Sequence, residues 1–429
     1  MMDKNRWIGI IISLFLIQGL TAQSVTNLTL EAAYQLLEER YPTLRNGNLL
    51  NEIHQKELVQ LDKTKLPSLT LNSNLQVQTG STQLDAGDNI DLPFEINQPL
   101  YSARTYVEGQ YMIKDGGRLE AEKALKAVEL EAEQQDIEVE RFALRKRVNT
   151  LVVNIQLLQE QVGVFDISLK DLATRQEQVA ANVENGTLLP SELTKLNVKE
   201  LELKAQQSDV NYRLRGLKNS LADLLGVTLS DDFEMTLPKM ANPTSIPPLN
   251  RPEQKLFQLQ RAAIMANSTL IDASNRPQLS AFAQAGVGYP NPLNLLDNGA
   301  APYGLVGLKF SWKFVDWKKS SIDKELLSLQ SMKLQNVEDA FTFNMNTQKA
   351  NYLSEINRLQ AQIKLDQEIA ALQTNILAEL SVQLEEGIIT SADYVTQLNS
   401  ELLARQNILI HQTELVKTQL EYWNERGGF

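Results

Sequence analysis

The chain has only two histidines, His54 and His411, far apart in sequence and each in a helical pattern without a spaced partner to complete a metal set. It has no cysteine, which removes disulfides, thiolate metal sites, a cysteine nucleophile and a lipid anchor on an N-terminal cysteine. No phosphate-cradling glycine loop, nucleophile elbow or zinc motif occurs. The pair Gly116-Gly117 lacks the Lys-Ser/Thr continuation that phosphate binding needs, and reads as a turn. Acidic pairs such as Glu38-Glu39 and Glu385-Glu386 fall in stretches rich in Gln, Lys and Glu, the composition of a solvated helix face. These residue types and spacings point away from catalysis, metals and cofactors, and toward a protein that does its work by shape.

Lys4 and Arg6 precede an apolar stretch from Trp7 to Ile17 and small residues at Thr21 and Ala22, the layout of an export signal cleaved after Ala22. About 11 apolar residues fall short of the roughly 20 that a membrane-spanning helix needs. No later segment carries such a run, so the mature chain is either soluble or crosses a membrane by strands alone. The net charge of −12 makes nucleic acid an unsuitable partner.

Internal repetition organises the 429 residues. Glu184, Gly186, Glu200, Leu201, Leu214 and Gly226 recur as Glu385, Gly387, Glu401, Leu402, Leu415 and Gly427 at a constant spacing of 201. The division this suggests is a signal at 1–22, a first repeat at 23–226, a Pro-rich linker at 227–251 and a second repeat at 252–429. Each repeat opens with a helical segment that ends at a proline, Pro67 or Pro277. Alternating segments follow. In the first repeat Leu69, Leu71, Leu75 and Val77 alternate with polar residues, and a Gly/Asp/Ser-rich stretch at 79–91 leads to Leu92, Phe94, Ile96 and Leu100. In the second, Leu279, Ala281, Ala283, Ala285 and Val287 lead through a loop at 288–302 to Leu308, Phe310, Trp312 and Phe314. Both read as hairpins with one apolar and one polar face.

A long proline-free stretch comes next in each repeat. Leu144, Val148, Leu151, Ile155, Leu158, Val162, Phe165, Leu169 and Leu172 fall at spacings of three and four, a heptad seam. The second stretch carries Tyr352, Ile356, Leu359 and Ile363, then Ile369, Leu372, Ile376 and Leu380. A helix from Arg118 to Glu184 would be about 100 Å long at 1.5 Å per residue. A shorter returning helix follows each turn. The expected class is α+β: long antiparallel coiled-coil hairpins with four amphipathic strands.

Four strands in lipid would leave two edges of unpaired amides and carbonyls, so one chain cannot close a barrel, whereas two chains with eight strands or three with twelve can. Thr70, Asn72, Gln76, Lys309 and Lys313 would then face a wet lumen. Tyr101, Tyr303, Trp312 and Trp317 lie near strand ends, where a membrane-interface belt would sit, although soluble strands are also rich in aromatics. A periplasmic coiled-coil tether with two soluble hairpins is the competing reading.

Over residues 28–428 the sequence resembles the TolC-type outer-membrane efflux protein family. The resemblance rests on the opening Asn27-Leu28-Thr29-Leu30-Glu31-Ala32-Ala33 with Tyr41-Pro42. It rests also on two glycine-led turns, Gly186-Thr187-Leu188-Leu189-Pro190-Ser191 and Gly387-Ile388-Ile389-Thr390-Ser391. It implies a homotrimer with a 12-stranded barrel in outer-membrane lipid and a helical tunnel extending into the periplasm. The turns would touch a periplasmic adaptor protein that joins the duct to an inner-membrane transporter. Acidic residues beyond the second glycine line the constriction in that family. Asp393 matches one of these, Glu192 is its first-repeat counterpart, and Thr396 stands where a second acidic residue can occur. The function so implied is the exit of small toxic compounds in a tripartite efflux system, or the outer-membrane exit of type I protein secretion.

Overall fold

The computed structural model describes residues 25–80, 98–236, 250–294 and 296–426. The expected signal with its cleavage site after Ala22, the strand expected over Leu92, Phe94 and Ile96, and the linker residues Pro238, Pro243, Pro247 and Pro248 lie outside them. The chain divides into two compact units that cut across the two sequence repeats. A helical unit takes in Met1–Tyr41, Leu144–Ile246 and Asn351–Asn424, and a sheet unit takes in Pro42–Ala143, Pro247–Ala350 and Glu425–Phe429.

In chain order the elements are β1 (Val25–Thr29), α1 (Leu30–Arg40), α2 (Asn46–Lys63), β2 (Ser68–Val77), β3 (Tyr101–Lys114), α3 (Arg118–Glu184) and α4 (Pro190–Leu225). There follow β4 (Leu229–Thr236), α5 (Pro252–Ser274), β5 (Gln278–Tyr289), β6 (Ala301–Ser311), α6 (Lys319–Glu385) and α7 (Ser391–Glu425). Two helices of 67 residues, α3 and α6, begin and end 201 positions apart.

The helical unit is built on the heptad seam. Leu158, Phe165, Leu172 and Val179 on α3 face Leu196, Leu203 and Val210 on α4, each series stepping by seven, and Leu384, Tyr394, Leu398 and Leu402 join the same core. This is side-by-side coiled-coil packing between antiparallel neighbours. On α6 the outcome differs by position. Ile356 and Leu359 are buried, whereas Leu365, Ile369, Leu372 and Ile376, at spacings of four, three and four, are exposed. Among the described residues their seam has no partner.

β1 and β4 form a short parallel pair, so part of the segment expected to be linker is a strand. Phe233 on β4 is fully buried, and its carbonyl accepts from Gln159 Nε2 at 2.6 Å. Nearby, burial pushes the Tyr34 phenol up to about 12; its hydroxyl donates to Asn149, and the Arg145 guanidinium lies over its ring.

In the sheet unit the four strands run in the order β2-β3-β5-β6, all antiparallel. The strand paired with β2 is β3, which begins only at Tyr101, beyond the segment the apolar alternation had suggested. Register sorts the side chains into two faces. One carries Leu69, Leu71, Leu75, Val77, Ala103, Val107, Ala281, Ala283, Ala285, Val287, Val306, Leu308 and Phe310. The other carries Thr70, Asn72, Asn74, Gln76, Arg104, Glu108, Gln110, Gln284 and Lys309. Two glycines on this polar face give room to aromatic neighbours: a Cβ on Gly286 would fall 2.4 Å from Tyr106 Cβ, and one on Gly307 would fall 2.7 Å from the Phe282 ring. Near α5, Arg251 lies 4.1 Å from the Phe142 ring centroid and pairs with Glu425 at 2.6 Å and with Glu253.

Candidate functional site: the hairpin tips and the two-faced sheet

At both tips the long helix ends in a glycine with positive φ, +73° at Gly186 and +69° at Gly387. Backbone bonds close the turns: Gly186 N–H to Val183 O and Thr187 N–H to Asn182 O in the first, Gly387 N–H to Leu384 O and Ile388 N–H to Gln383 O in the second. This pattern satisfies carbonyls that a helix end leaves over. Pro190 then opens α4, where its missing N–H costs nothing.

Thr390 and Asp393 form a reciprocal cap on α7. Asp393 Oδ2 accepts from Thr390 N–H at 3.0 Å and from its hydroxyl at 2.7 Å, while Thr390 Oγ1 accepts from Asp393 N–H at 3.3 Å. Those Thr390 bonds hold the exposed Asp393 carboxyl below the usual carboxylate range.

Glu192 is not the solvated first-turn glutamate that its position suggests. It accepts from Lys195 and, at 2.7 Å, from the Ser391 N–H at the start of α7, so it ties the two tips together. The Lys195 bond leads in lowering its pKa, with desolvation opposing and the Ser391 amide assisting. Beside it runs a chain of polar contacts that sequence reasoning missed. Tyr394 donates its hydroxyl to Asp171 at 2.7 Å, Arg175 pairs with Glu385, and Asn182 donates to the Glu385 carbonyl at 2.9 Å. Burial, with the bond to Asp171, drives the Tyr394 phenol far above its usual range. Glu385, read as a solvated acid, is thus a partner of Arg175.

Among the tip residues Ser391 is fully buried and Leu188 and Ile389 pack against the core, while Leu189 and Ile388 are 68% and 71% exposed. The apolar material offered outward at the tips is therefore Leu189 and Ile388.

The four strand-end aromatics do not form one group. Tyr101 is exposed on the apolar face at the β2–β3 turn end and stacks on Tyr289 at 5.2 Å. Tyr303 falls on the polar face, where it is buried and packs 6.3 Å from Tyr106. Odd–even alternation along β6 sets it on the face opposite Leu308 and Phe310. Trp312 and Trp317 lie beyond the end of β6 and are 53% and 89% exposed.

Where each hairpin hands over to its long helix, the two repeats share a device that the sequence reading did not isolate. Asp115 accepts from Gly117 N–H at 2.9 Å and Leu119 N–H at 2.7 Å, and Asp316 accepts from Lys318 N–H and Ser320 N–H at 3.0 Å each. The two residues after each aspartate have positive φ: Gly116 and Gly117 in one repeat, Trp317 and Lys318 in the other.

No helix among the described residues is long and apolar enough to cross a membrane. No family model matches the chain, and no curated protein matches it in sequence. Solved structures do. VceC, an outer membrane protein from Vibrio cholerae, is 14% identical with a TM-score of 0.67, the match covering 93% of this chain and 96% of that one. The fold is that of the TolC-type outer-membrane channels. CusC, described for its transmembrane channel formation, is 15% identical over 93% of this chain and 92% of that one, with a TM-score of 0.68. The open-state outer membrane channel MtrE of Neisseria gonorrhoeae is 16% identical over 93% and 89%, with a TM-score of 0.66.

Proposed function

We propose that three copies of this chain close a 12-stranded barrel in a bacterial outer membrane, continued by a helical tunnel into the periplasm, and that solutes leave the cell through it unchanged. The observation that carries this reading is the two-faced sheet. Leu69, Leu71, Leu75 and Val77 are each at least 74% exposed on one face, while the opposite face is mainly polar and, among the described residues, no strand pairs with either edge. In water such an apolar face is costly, and in lipid such edges are costly. Closure with further copies in a bilayer resolves both. The bare seam Leu365-Ile369-Leu372-Ile376 supports the same assembly, since a heptad stripe calls for another helix.

Within this reading the duct serves a tripartite efflux system for small toxic compounds. Leu189 and Ile388 meet the periplasmic adaptor, and an inner-membrane transporter supplies the cargo. Asp393 on each copy lies at the periplasmic constriction and, with Glu192 braced behind it, favours cations there. Tyr101 and Trp312 mark the two membrane interfaces.

Native mass measurement of the detergent-extracted protein tests the assembly: a species of three times the processed mass is expected, and a detergent-free monomer would reject it. Planar-bilayer recording tests the constriction. Asp393→Ala is expected to weaken cation preference and raise conductance, and unchanged values of both would remove Asp393 from the gate. Deletion of the protein is expected to sensitise cells to toxic compounds, whereas loss of a secreted protein alone would assign the duct to secretion instead.

A further inference from the structure

The two hairpins are related by fixed offsets, and those offsets specify how one copy joins the next. Ser68↔Gln110 in the first hairpin corresponds to Gln278↔Ser311 in the second, and Val77↔Tyr101 corresponds to Val287↔Pro302. Thus β5 repeats β2 at an offset of 210, and β6 repeats β3 at the same offset of 201 that relates the long helices. The internal joint between repeats is the β3–β5 ladder, which runs from Ala103↔Tyr289 through Glu108↔Gln284 to Met112↔Ser280. The outer edges, β6 and β2, are the repeat equivalents of β3 and β5.

We infer that β6 of one copy pairs antiparallel with β2 of a second copy in the register of that internal joint. This rests on the trimeric channel reading above and adds to it the residue-by-residue seam. Shifting each internal pair by the two offsets sets Lys309 opposite Asn74 of the second copy, Phe310 opposite Ser73, Leu308 opposite Leu75 and Val306 opposite Val77. Each of these pairs joins like faces: Leu308 and Val306 meet apolar residues, Phe310 meets Ser73 on that same face, and Lys309 meets Asn74 on the polar side. Period-two alternation makes this a real constraint, because a register displaced by one residue would set Val306, Leu308 and Phe310 beside polar residues next to or within β2.

A second observation agrees. β3 continues to Lys114 while paired along its whole length, but β6 stops at Ser311 and residues 312–315 are irregular. These four are the equivalents of Tyr111–Lys114. Among the described residues no strand pairs with them, and the inferred register supplies one: Trp312 opposite Leu71 and Lys313 opposite Thr70. Trp312, Phe314 and Val315 are 53%, 78% and 52% exposed, as fits strand residues that await a partner.

At its base the joint between copies departs from the internal one. A Cβ on Gly116 would fall 2.8 Å from Arg276 Cβ, so within the chain the hinge and the α5–β5 junction touch backbone to backbone. The equivalents are Trp317 and Leu66, 89% and 56% exposed. An indole there fills a gap that glycine leaves closed, and covers Leu66 of the second copy.

The absence of native cysteine gives a clean test by cross-linking. Lys309→Cys is combined in turn with Thr70→Cys, Asn72→Cys, Asn74→Cys and Gln76→Cys, all on the polar face, and oxidised in the membrane. Phe310→Cys with Ser73→Cys covers the adjacent pair, since neighbouring antiparallel pairs alternate between close and wide spacing. Covalent dimers and trimers on a non-reducing gel should peak at Asn74 or at the Phe310/Ser73 pair. A peak at Thr70, Asn72 or Gln76 overturns the register. Native trimers that cross-link at none of these positions overturn the β6–β2 joint itself. Absence of any trimer by native mass would instead remove the channel reading. Hydrogen exchange gives a second readout: amides 312–313 should be protected in the trimer and unprotected in the separated chain.

Discussion

Glu192 and Asp393 occupy matching positions in their repeats yet make different contacts. Asp393 turns back on its own helix, whereas Glu192 reaches the Ser391 amide of the other tip. Glu192→Gln is expected to weaken that bond by about 1 kcal/mol, because a charged acceptor becomes a neutral one. The check is faster exchange at Ser391 relative to its intrinsic rate. Both carboxyls have depressed pKa values, so each stabilises the tips above its ordinary value near about 4 and loses that contribution as pH falls through the depressed value. Tip protection should therefore hold from pH 7 to about pH 5 and fall below about pH 4. A tip whose protection, corrected for intrinsic rates, is equal at pH 7 and pH 3 would contradict it. The Thr390-x-x-Asp393 cap has the spacing of a capping box, although the sequence reading assigned Asp393 only to the constriction. The Tyr394–Asp171 and Arg175–Glu385 contacts were not, since each joins residues more than 200 positions apart and no local pattern marks them.

The long helices were the most readable elements, because the seam from Leu144 to Leu172 steps as heptads do and its members at 144, 148, 155, 158, 165 and 172 are buried. The strand β3 was not readable. Tyrosines stand on both of its faces, Tyr101 and Tyr111 on one and Tyr106 on the other, and Gly109 interrupts the apolar side. β1 and β4 escaped notice because a short parallel pair across 200 residues has no turn signal to announce it. The hinge aspartates belong to this scale too. Each supplies the first turn of a 67-residue helix with two acceptor bonds, so Asp316→Ala is expected to cost about 1 kcal/mol and to free the amides of Lys318 and Ser320. Their exchange rates in the variant check it, with Ser320→Ala, which leaves both amide bonds in place, as the control. At the tips, a Cβ on Gly387 would meet nothing closer than Leu188 Cδ2 at 3.6 Å, so the penalty of Gly387→Val starts from the positive φ. Loss of about 1–2 kcal/mol in urea unfolding is expected.

For the molecule as a whole, sequence identity of 12–16% to solved channels goes with TM-scores of 0.65–0.68. What persists at that distance is the fold. Among the described residues the chain leaves an apolar sheet face, two open sheet edges and an uncovered seam on α6, which are the surfaces that the proposed assembly would cover. Gly307 has a consequence on this scale. The Phe282 ring lies across it, flat against the polar side of the sheet. In the proposed trimer this side of the sheet faces the passage, so three such glycines, one from each copy, would leave room at the wall for three phenylalanine rings.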